Sequence, residues 1–391
     1  MSQREKIKRH LNKLCKDIGP RPTGSAANEA AVKYACSELK ACGLSVERQE
    51  FDCIDWHNDG GRLYVDGESI PITPAPYTLP CETEAELVCI QSIDQLRQAD
   101  LKGKIVVLYG ELCIEPLMPK GFMFWNPEKH QEIIALLENG NPCAVLTISL
   151  DASELVPMIE DGDFNIPCAI LPRSCLPALL TGKTANLILR TARINTKAAN
   201  VIATYGEGPE KIALSAHIDT APQTPGALDN ASGVAVLLGL AAALEGSELP
   251  YQIEFVLFNG EDHYSNIGEM VYRGSYLAAP ASYKYAINVD GAGLQDSLIS
   301  YSFYECPEDL EEMVAQAAVA YKLEQIDPWP QGDHTLFSIA GVPAIAITSS
   351  EIFSLMGSVL HTENDTDERI DLDKLECLVS FLKQVIQNSS R

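Results

Sequence analysis

Five stretches of this chain set a histidine or a carboxylate at or just beyond the end of an apolar run. "SAHIDT" carries His217 and Asp219, "GALDN" carries Asp229, and "NGEDH" carries Glu261 and Asp262. "INVDG" carries Asp290, and "LHTEND" carries His361. Singly, each has an ordinary reading as a turn acid, a helix cap, a strand-end acid or a solvated loop histidine. Together, His217, Asp229, Asp262, Asp290 and His361, with Glu261 to spare, suit a pair of divalent cations. Imidazole and carboxylate without thiolate favour zinc, with manganese or cobalt as alternatives. Two cations roughly 3.5–4 Å apart need a shared carboxylate and terminal ligands on each. Cations also explain Glu261-Asp262, because adjacent acids repel and are costly to desolvate unless positive charge lies between them. In an extended chain, residues i and i+2 point the same way, which sets Asp219 beside the His217 ring. A carboxylate that accepts one imidazole N–H frees the other nitrogen for a metal.

The elements that must hold these residues follow from periodicity. From about residue 198, apolar runs alternate with helices. "KIALSA" (211–216) precedes a helix at 231–245, "IEFVLF" (253–258) one near 269–279, "YAINVD" (285–290) one near 307–322, and "PAIAIT" (343–348) one at 372–388. Such alternation implies a sheet covered on both sides, and open α/β sheets build sites at the carboxyl ends of their strands. The helix "ASGVAVLLGLAAALE" is apolar nearly all round and should be buried. Upstream, helices are expected over 2–17 and 25–43, the second capped by Ser25 and closed by Gly43, followed by a strand at 44–51. Between about 56 and 197 the texture changes to short strand-like runs with frequent turns and one good helix, 128–140. The expected organisation is therefore one discontinuous unit, 1–55 with 198–391, interrupted by a β-rich unit at 56–197.

The chain has 391 residues, 46% of them hydrophobic, which suffices for two cores. Its net charge of −25 argues against nucleic acid or an anionic membrane as a partner through a general basic surface. The amino terminus lacks an apolar signal region, and the 12 cysteines are scattered without a C-x-x-C pair. These features lead us to expect a cytoplasmic protein with reduced core cysteines.

Taken in order, "SAHIDT", "GALDNASGVAVLLGLAAAL", "IEFVLFNGEDHYSNIGEMVYRGSYLA", "INVDGAG", "GDHTLFSIAGVPAIAI" and "LHTENDTDERID" resemble the M28 family of metallopeptidases, the co-catalytic zinc aminopeptidases. The segment "DIGPRPTGSAANEAAVKYACSELKACGLSVERQEFD" resembles the family's opening. "CAVLTIS" and "FNIPCAILPRSCLPALL" resemble a protease-associated domain. The resemblance implies an α/β three-layer sandwich with a mixed central sheet, and an insert that walls or lids the cleft. It implies that His217 and Asp290 hold one zinc, Asp262 and His361 the other, and that Asp229 bridges them. It also implies Glu261 as general base, Asp219 as the partner of His217, and a supporting place for Asp333 and His334. The substrate implied is a peptide, cleaved at its amino end by water whose pKa the cations lower.

Three departures carry expectations. Asp262 stands where members commonly carry Glu; being one methylene shorter, it must approach the metal more closely or bind with one oxygen. Leu228 replaces a common acid at a position that is not a ligand. The small residues of "NVDGAG" should widen the floor of the cleft. Three rival functions differ in what they need. A glutaminyl-cyclase-like acyltransferase uses one zinc, a carboxypeptidase needs basic residues to grip a carboxylate, and a non-catalytic binding module typically loses ligands.

Overall fold

A computed structural model describes residues 1–122, 125–149, 155–356 and 358–389. The chain forms two compact units, Met1–Cys53 with Lys197–Arg391, and Ile54–Thr196.

In the first unit, four mutually parallel strands make the centre of the sheet, in the order Ala344–Ser349, Tyr283–Val289, Lys211–His217 and Gln252–Phe258. Ile299–Tyr304 joins one edge antiparallel, with the short strand Glu324–Gln325 outside it. The end of Thr184–Tyr205 joins the other edge antiparallel, which makes the sheet mixed. The central strands are buried nearly throughout, as strands covered on both faces must be. Alternate residues Ile212, Leu214, Phe255, Ile287 and Ile345 enter one core, with helices Gln3–Asn12, Ala26–Ala41, Ser232–Leu244 and Leu372–Asn388. On the other face, Phe258 meets Tyr272 of helix Ile267–Ser275 and Phe337 of helix His334–Ile339. The result is an α/β three-layer arrangement around a mixed sheet.

Local expectations and outcome differ in places. Ser25 caps the second helix through Asn28 N–H, but the first helix ends at Asn12 and a wider turn, Lys13–Ile18, follows. The helix expected near 269–279 runs Ile267–Ser275. Ile299–Tyr304 was not anticipated, although Ile299, Tyr301 and Phe303 alternate with serines at a strand's period. The stretch Ala227–Leu244 is among the described residues the one helical segment long and apolar enough to cross a membrane, and 89% of it is buried inside the protein.

The second unit carries parallel strands Cys81–Ile90, Ile105–Leu108, Ala144–Ile148 and Cys168–Leu171, with Thr73–Pro74 antiparallel at the edge. Val106, Leu108 and Val145 pack with Ile133 and Leu137 of helix Glu128–Gly140. Ile105, Val107 and Leu146 face the opposite way into a second core. Residues 123–124 and 150–154 of the expected β-rich stretch lie outside the described residues. Among the described residues, no two of the twelve cysteines are joined in a disulfide.

Candidate metal centre

Parallel pairing sets three strand ends side by side. Phe258 lies opposite His217, and Asn288 opposite Ser215, so that Asp290 emerges level with His217. His217 Nε2 is 3.0 Å from Asp229 Oδ1 and 3.4 Å from Asp290 Oδ1. His361 Nε2 is 3.2 Å from Asp229 Oδ2 and 3.0 Å from Asp262 Oδ1. Asp229 thus turns one oxygen to each histidine. Two three-residue groups suited to a metal ion result, His217–Asp229–Asp290 and Asp229–Asp262–His361, with Asp229 in both. Neither ring nitrogen of the buried His217 makes a hydrogen bond within the protein, which fits an imidazole held for a cation. Donors of this type, two imidazoles and three carboxylates without thiolate, match zinc chemistry.

Asp219 Oδ1 stands 3.7 Å from His217 Nδ1, on the side away from Asp229. Its other oxygen accepts from Thr23 Oγ1 at 2.8 Å and from the Asp262 N–H at 3.2 Å. One carboxylate therefore lies beside the histidine and is bonded to the turn that carries Asp262. Asp262 Oδ2 is tied to the Ala221 N–H at 2.8 Å, which leaves Oδ1 facing His361. The shorter side chain thus reaches its group with a single oxygen. Gly260 takes φ +122°, a conformation that side chains avoid, and so lets the chain turn between Asn259 and Glu261.

The sequence suggested Asp229 as both cap and ligand; the structure assigns the cap elsewhere. Asn230 Oδ1 accepts from the Gly233 N–H at 3.0 Å, at the start of the buried helix. Asp229 is extended, with φ −117° and ψ 87°. Its N–H and that of Leu228 donate to the two oxygens of Asp365, at 3.0 and 2.7 Å. Asp365 was not picked out from the sequence; its only signal there is the acid-rich run after His361. Arg21 was also missed. Its fully buried guanidinium donates to the carbonyls of Ile218 (2.7 Å), Pro225 (2.9 Å) and Gly226 (3.0 Å), fixing the loop between His217 and Asp229. Arg21→Ala should lower the unfolding free energy by about 3 kcal/mol, since a buried, charged donor to three carbonyls is lost. Urea titration checks this, and a change under about 0.5 kcal/mol would show that the loop does not depend on Arg21.

Electrostatics follow from burial and neighbours. Burial raises the Glu261 carboxyl well above the usual range; His217 opposes this, and Asp262 and Asp290 add to it. Burial opposes charge on Asp229 as well, but His217 and His361 outweigh it and hold the group far below the usual carboxylate range. For His217, burial is likewise outweighed, here by Asp290, Asp219 and Asp229, and the ring's pKa is raised. Glu261 belongs to neither ligand group, which leaves its carboxyl available for proton transfer. His263 is buried, bonds Ser265 Oγ at 2.8 Å and belongs to neither group. Asp333 and His334 are buried at the start of helix His334–Ile339. The floor of the cleft is not widened by "NVDGAG". A Cβ on Gly291 would lie 2.7 Å from Ile352, and one on Gly293 would lie 2.4 Å from Leu375, so other side chains fill that space.

Residues 200–385 match the model of "Peptidase family M28". Aminopeptidase YwaD of Bacillus subtilis is 26% identical over 264 residues, covering 64% of this chain and 54% of that protein. The chain thus matches about half the length of that curated relative. Among solved structures, an aminopeptidase from Aneurinibacillus sp. strain AM-1 superposes with a TM-score of 0.79 at 21% identity, covering 99% of this chain and 94% of that one. A zinc aminopeptidase from Bacillus subtilis gives a TM-score of 0.79 at 21% identity, covering 99% and 95%. Likeness at this level of identity is likeness of fold.

Proposed function

We propose, from the match of residues 200–385 to peptidase family M28, that this chain is a metal-dependent aminopeptidase using two divalent cations, zinc first among them. The observation that carries the reading is Asp229, whose two oxygens face two histidines, each with its own second acid. In this reading His217 and Asp290 hold one ion, Asp262 and His361 the other, and Asp229 bridges. Cations held there supply Lewis acidity, lowering the pKa of water and polarising the scissile carbonyl.

The chain's own residues do the rest. Asp219 fixes the His217 ring so that Nε2 faces the site. Asp365 fixes the backbone of Asp229, and so the direction of its carboxylate. Glu261 takes the proton of the attacking water and delivers it to the leaving amine. Asp262 cannot substitute for Glu261, because one of its oxygens is bonded to Ala221 N–H and the other faces His361. Two complete ligand groups favour this reading over the one-zinc acyltransferase and the non-catalytic module. Arg21 is engaged by backbone carbonyls, not offered to a substrate carboxylate, which speaks against a carboxypeptidase.

A substrate panel tests the proposal. Chelated protein should be inactive, and zinc, manganese or cobalt should restore cleavage of peptides with a free amino terminus. Cleavage of only amino-blocked peptides would overturn the aminopeptidase reading, and metal content near one ion per chain would overturn the two-ion assignment.

A further inference from the structure

The turn that carries Glu261 and Asp262 is an excursion from the sheet that closes on itself. The chain leaves strand Gln252–Phe258 at Asn259 and comes back beside it in the first turn of helix Ile267–Ser275. A Cβ on Gly268 would lie 2.1 Å from the Asn259 carbonyl oxygen, so only glycine lets the two ends of the excursion approach this closely. Three asparagines from separate parts of the first unit hold this neck. Asn200 and Asn259 are 0% exposed and Asn28 is 1% exposed. Asn200, near the end of strand Thr184–Tyr205, grips both ends at once. Its Oδ1 accepts from the Asn259 N–H at 2.9 Å, and its Nδ2 donates to the Gly268 carbonyl at 2.7 Å. Its other amide proton goes to Gln49 Oε1 at 2.9 Å. Asn28, on helix Ala26–Ala41, and Asn259 form a reciprocal pair, each Nδ2 donating to the other's Oδ1 at 2.9 and 2.8 Å. Asn259 also donates to the Ala199 carbonyl at 3.0 Å, and Asn28 to the Arg21 carbonyl at 3.2 Å. Both amide protons of each asparagine thus have an acceptor, which fixes the orientation of every amide. A buried polar network satisfied to this degree is rigid and specifies one arrangement.

We propose that Asn28, Asn200 and Asn259 are positioning residues for the metal centre, clamping the neck of the excursion so that Asp262 presents Oδ1 to its cation. The clamp stands on the hydrogen bonds; its effect on a cation rests on the two-ion reading above. The need for a clamp follows from side-chain length. Asp262 Oδ2 is held by the Ala221 N–H, and Oδ1 alone reaches toward His361 Nε2, at 3.0 Å. A glutamate could follow a shifting backbone by turning about one more bond. An aspartate has no such torsion, so its backbone has to be fixed for it. His217 ends one central strand and Asp290 directly follows another, so sheet pairing positions them. Release of the clamp should therefore weaken the ion of Asp262 and His361 and spare the ion of His217 and Asp290.

Hydrogen–deuterium exchange of the whole chain after chelation tests the clamp without turnover or metal. In the unsubstituted protein the Asn259 and Asp262 amides should exchange within about tenfold of the central strands; faster exchange overturns the proposal and needs no variant. Asn28→Ala removes the reciprocal pair from a helix 231 residues away and leaves Asn259, Glu261 and Asp262 in place. It should speed exchange across 259–268 by about tenfold, with Lys211–His217 and Tyr283–Val289 unchanged. Unchanged exchange across 259–268 overturns the clamp. Zinc affinity is then measured with one ligand group disabled at a time. In an Asp290→Ala background, which keeps Asp229, Asp262 and His361, Asn28→Ala should weaken zinc by about 10–100-fold. In a His361→Ala background, which keeps His217, Asp229 and Asp290, it should weaken zinc by less than about threefold. Equal loss in both backgrounds, or no loss in either, overturns the positioning role. Fewer than two zinc ions on the unsubstituted protein would instead mark failure of the two-ion reading.

Discussion

Glu261→Gln lowers kcat on a free-amine peptide substrate by about 10²–10⁴-fold, with metal content retained. The amide has the shape of the acid and can occupy the same place after the Gln252–Phe258 strand. It cannot accept a proton from water and return it to an amine. Glu261 lies in neither ligand group, so removal of its charge should not release cations. Its burial makes the neutral form the more comfortable one, and the variant should be as stable as the parent or slightly more so. The measurements are kcat by a coupled amine assay, metal per chain by atomic emission, and Tm by calorimetry. Turnover within about threefold of the parent would remove Glu261 from the general-base role. A collapse of turnover together with loss of metal would move Glu261 into the ligand set.

Asp229→Ala should release both ions, lowering affinity for each by at least about 100-fold. The reason is geometric. Asp229 is the one residue common to both groups, with Oδ1 at 3.0 Å from His217 Nε2 and Oδ2 at 3.2 Å from His361 Nε2. Asp290→Ala strips one group only and should leave about one ion bound. The contrast between the two variants after equilibrium dialysis against zinc is the informative quantity. Two ions retained by Asp229→Ala would end the bridging assignment, whatever happens to activity.

Much of the fold was legible because it depends on patterns that a single sequence displays. Apolar runs closed by Gly or Asn, followed by helical periods, gave the parallel centre of the sheet, and the residues just past those runs were the natural candidates for a site. His217 and Asp219 were legible as a pair because extended backbone has a period of two. The supporting contacts were not legible. Thr23 and Arg21 act on Asp219 and Ile218 across 196 and 197 positions of sequence, with nothing local to announce them. Asp365 looked like one more acid in a polar loop, since its role depends on two N–H groups 137 and 136 residues earlier. Asn230 and Asp229 were interchangeable as caps by residue type, and only backbone direction separates them.

The discontinuity of the first unit bears on how the protein is made. A ribosome delivers Arg21 and Thr23 early, then the whole of Ile54–Thr196, before Ile218 and Asp219 emerge. His361 and Asp365 follow later still. Domains generally fold as units during synthesis, at roughly 5–20 residues per second. At that pace the amino-terminal helices wait on the order of 10–40 seconds for their partners, while the inserted unit already has all its residues. The inserted unit can therefore mature first, and the cation-binding residues are among the last groups to find their places. Metal supplied during translation would meet an unfinished site, and metal supplied afterwards would meet a complete one.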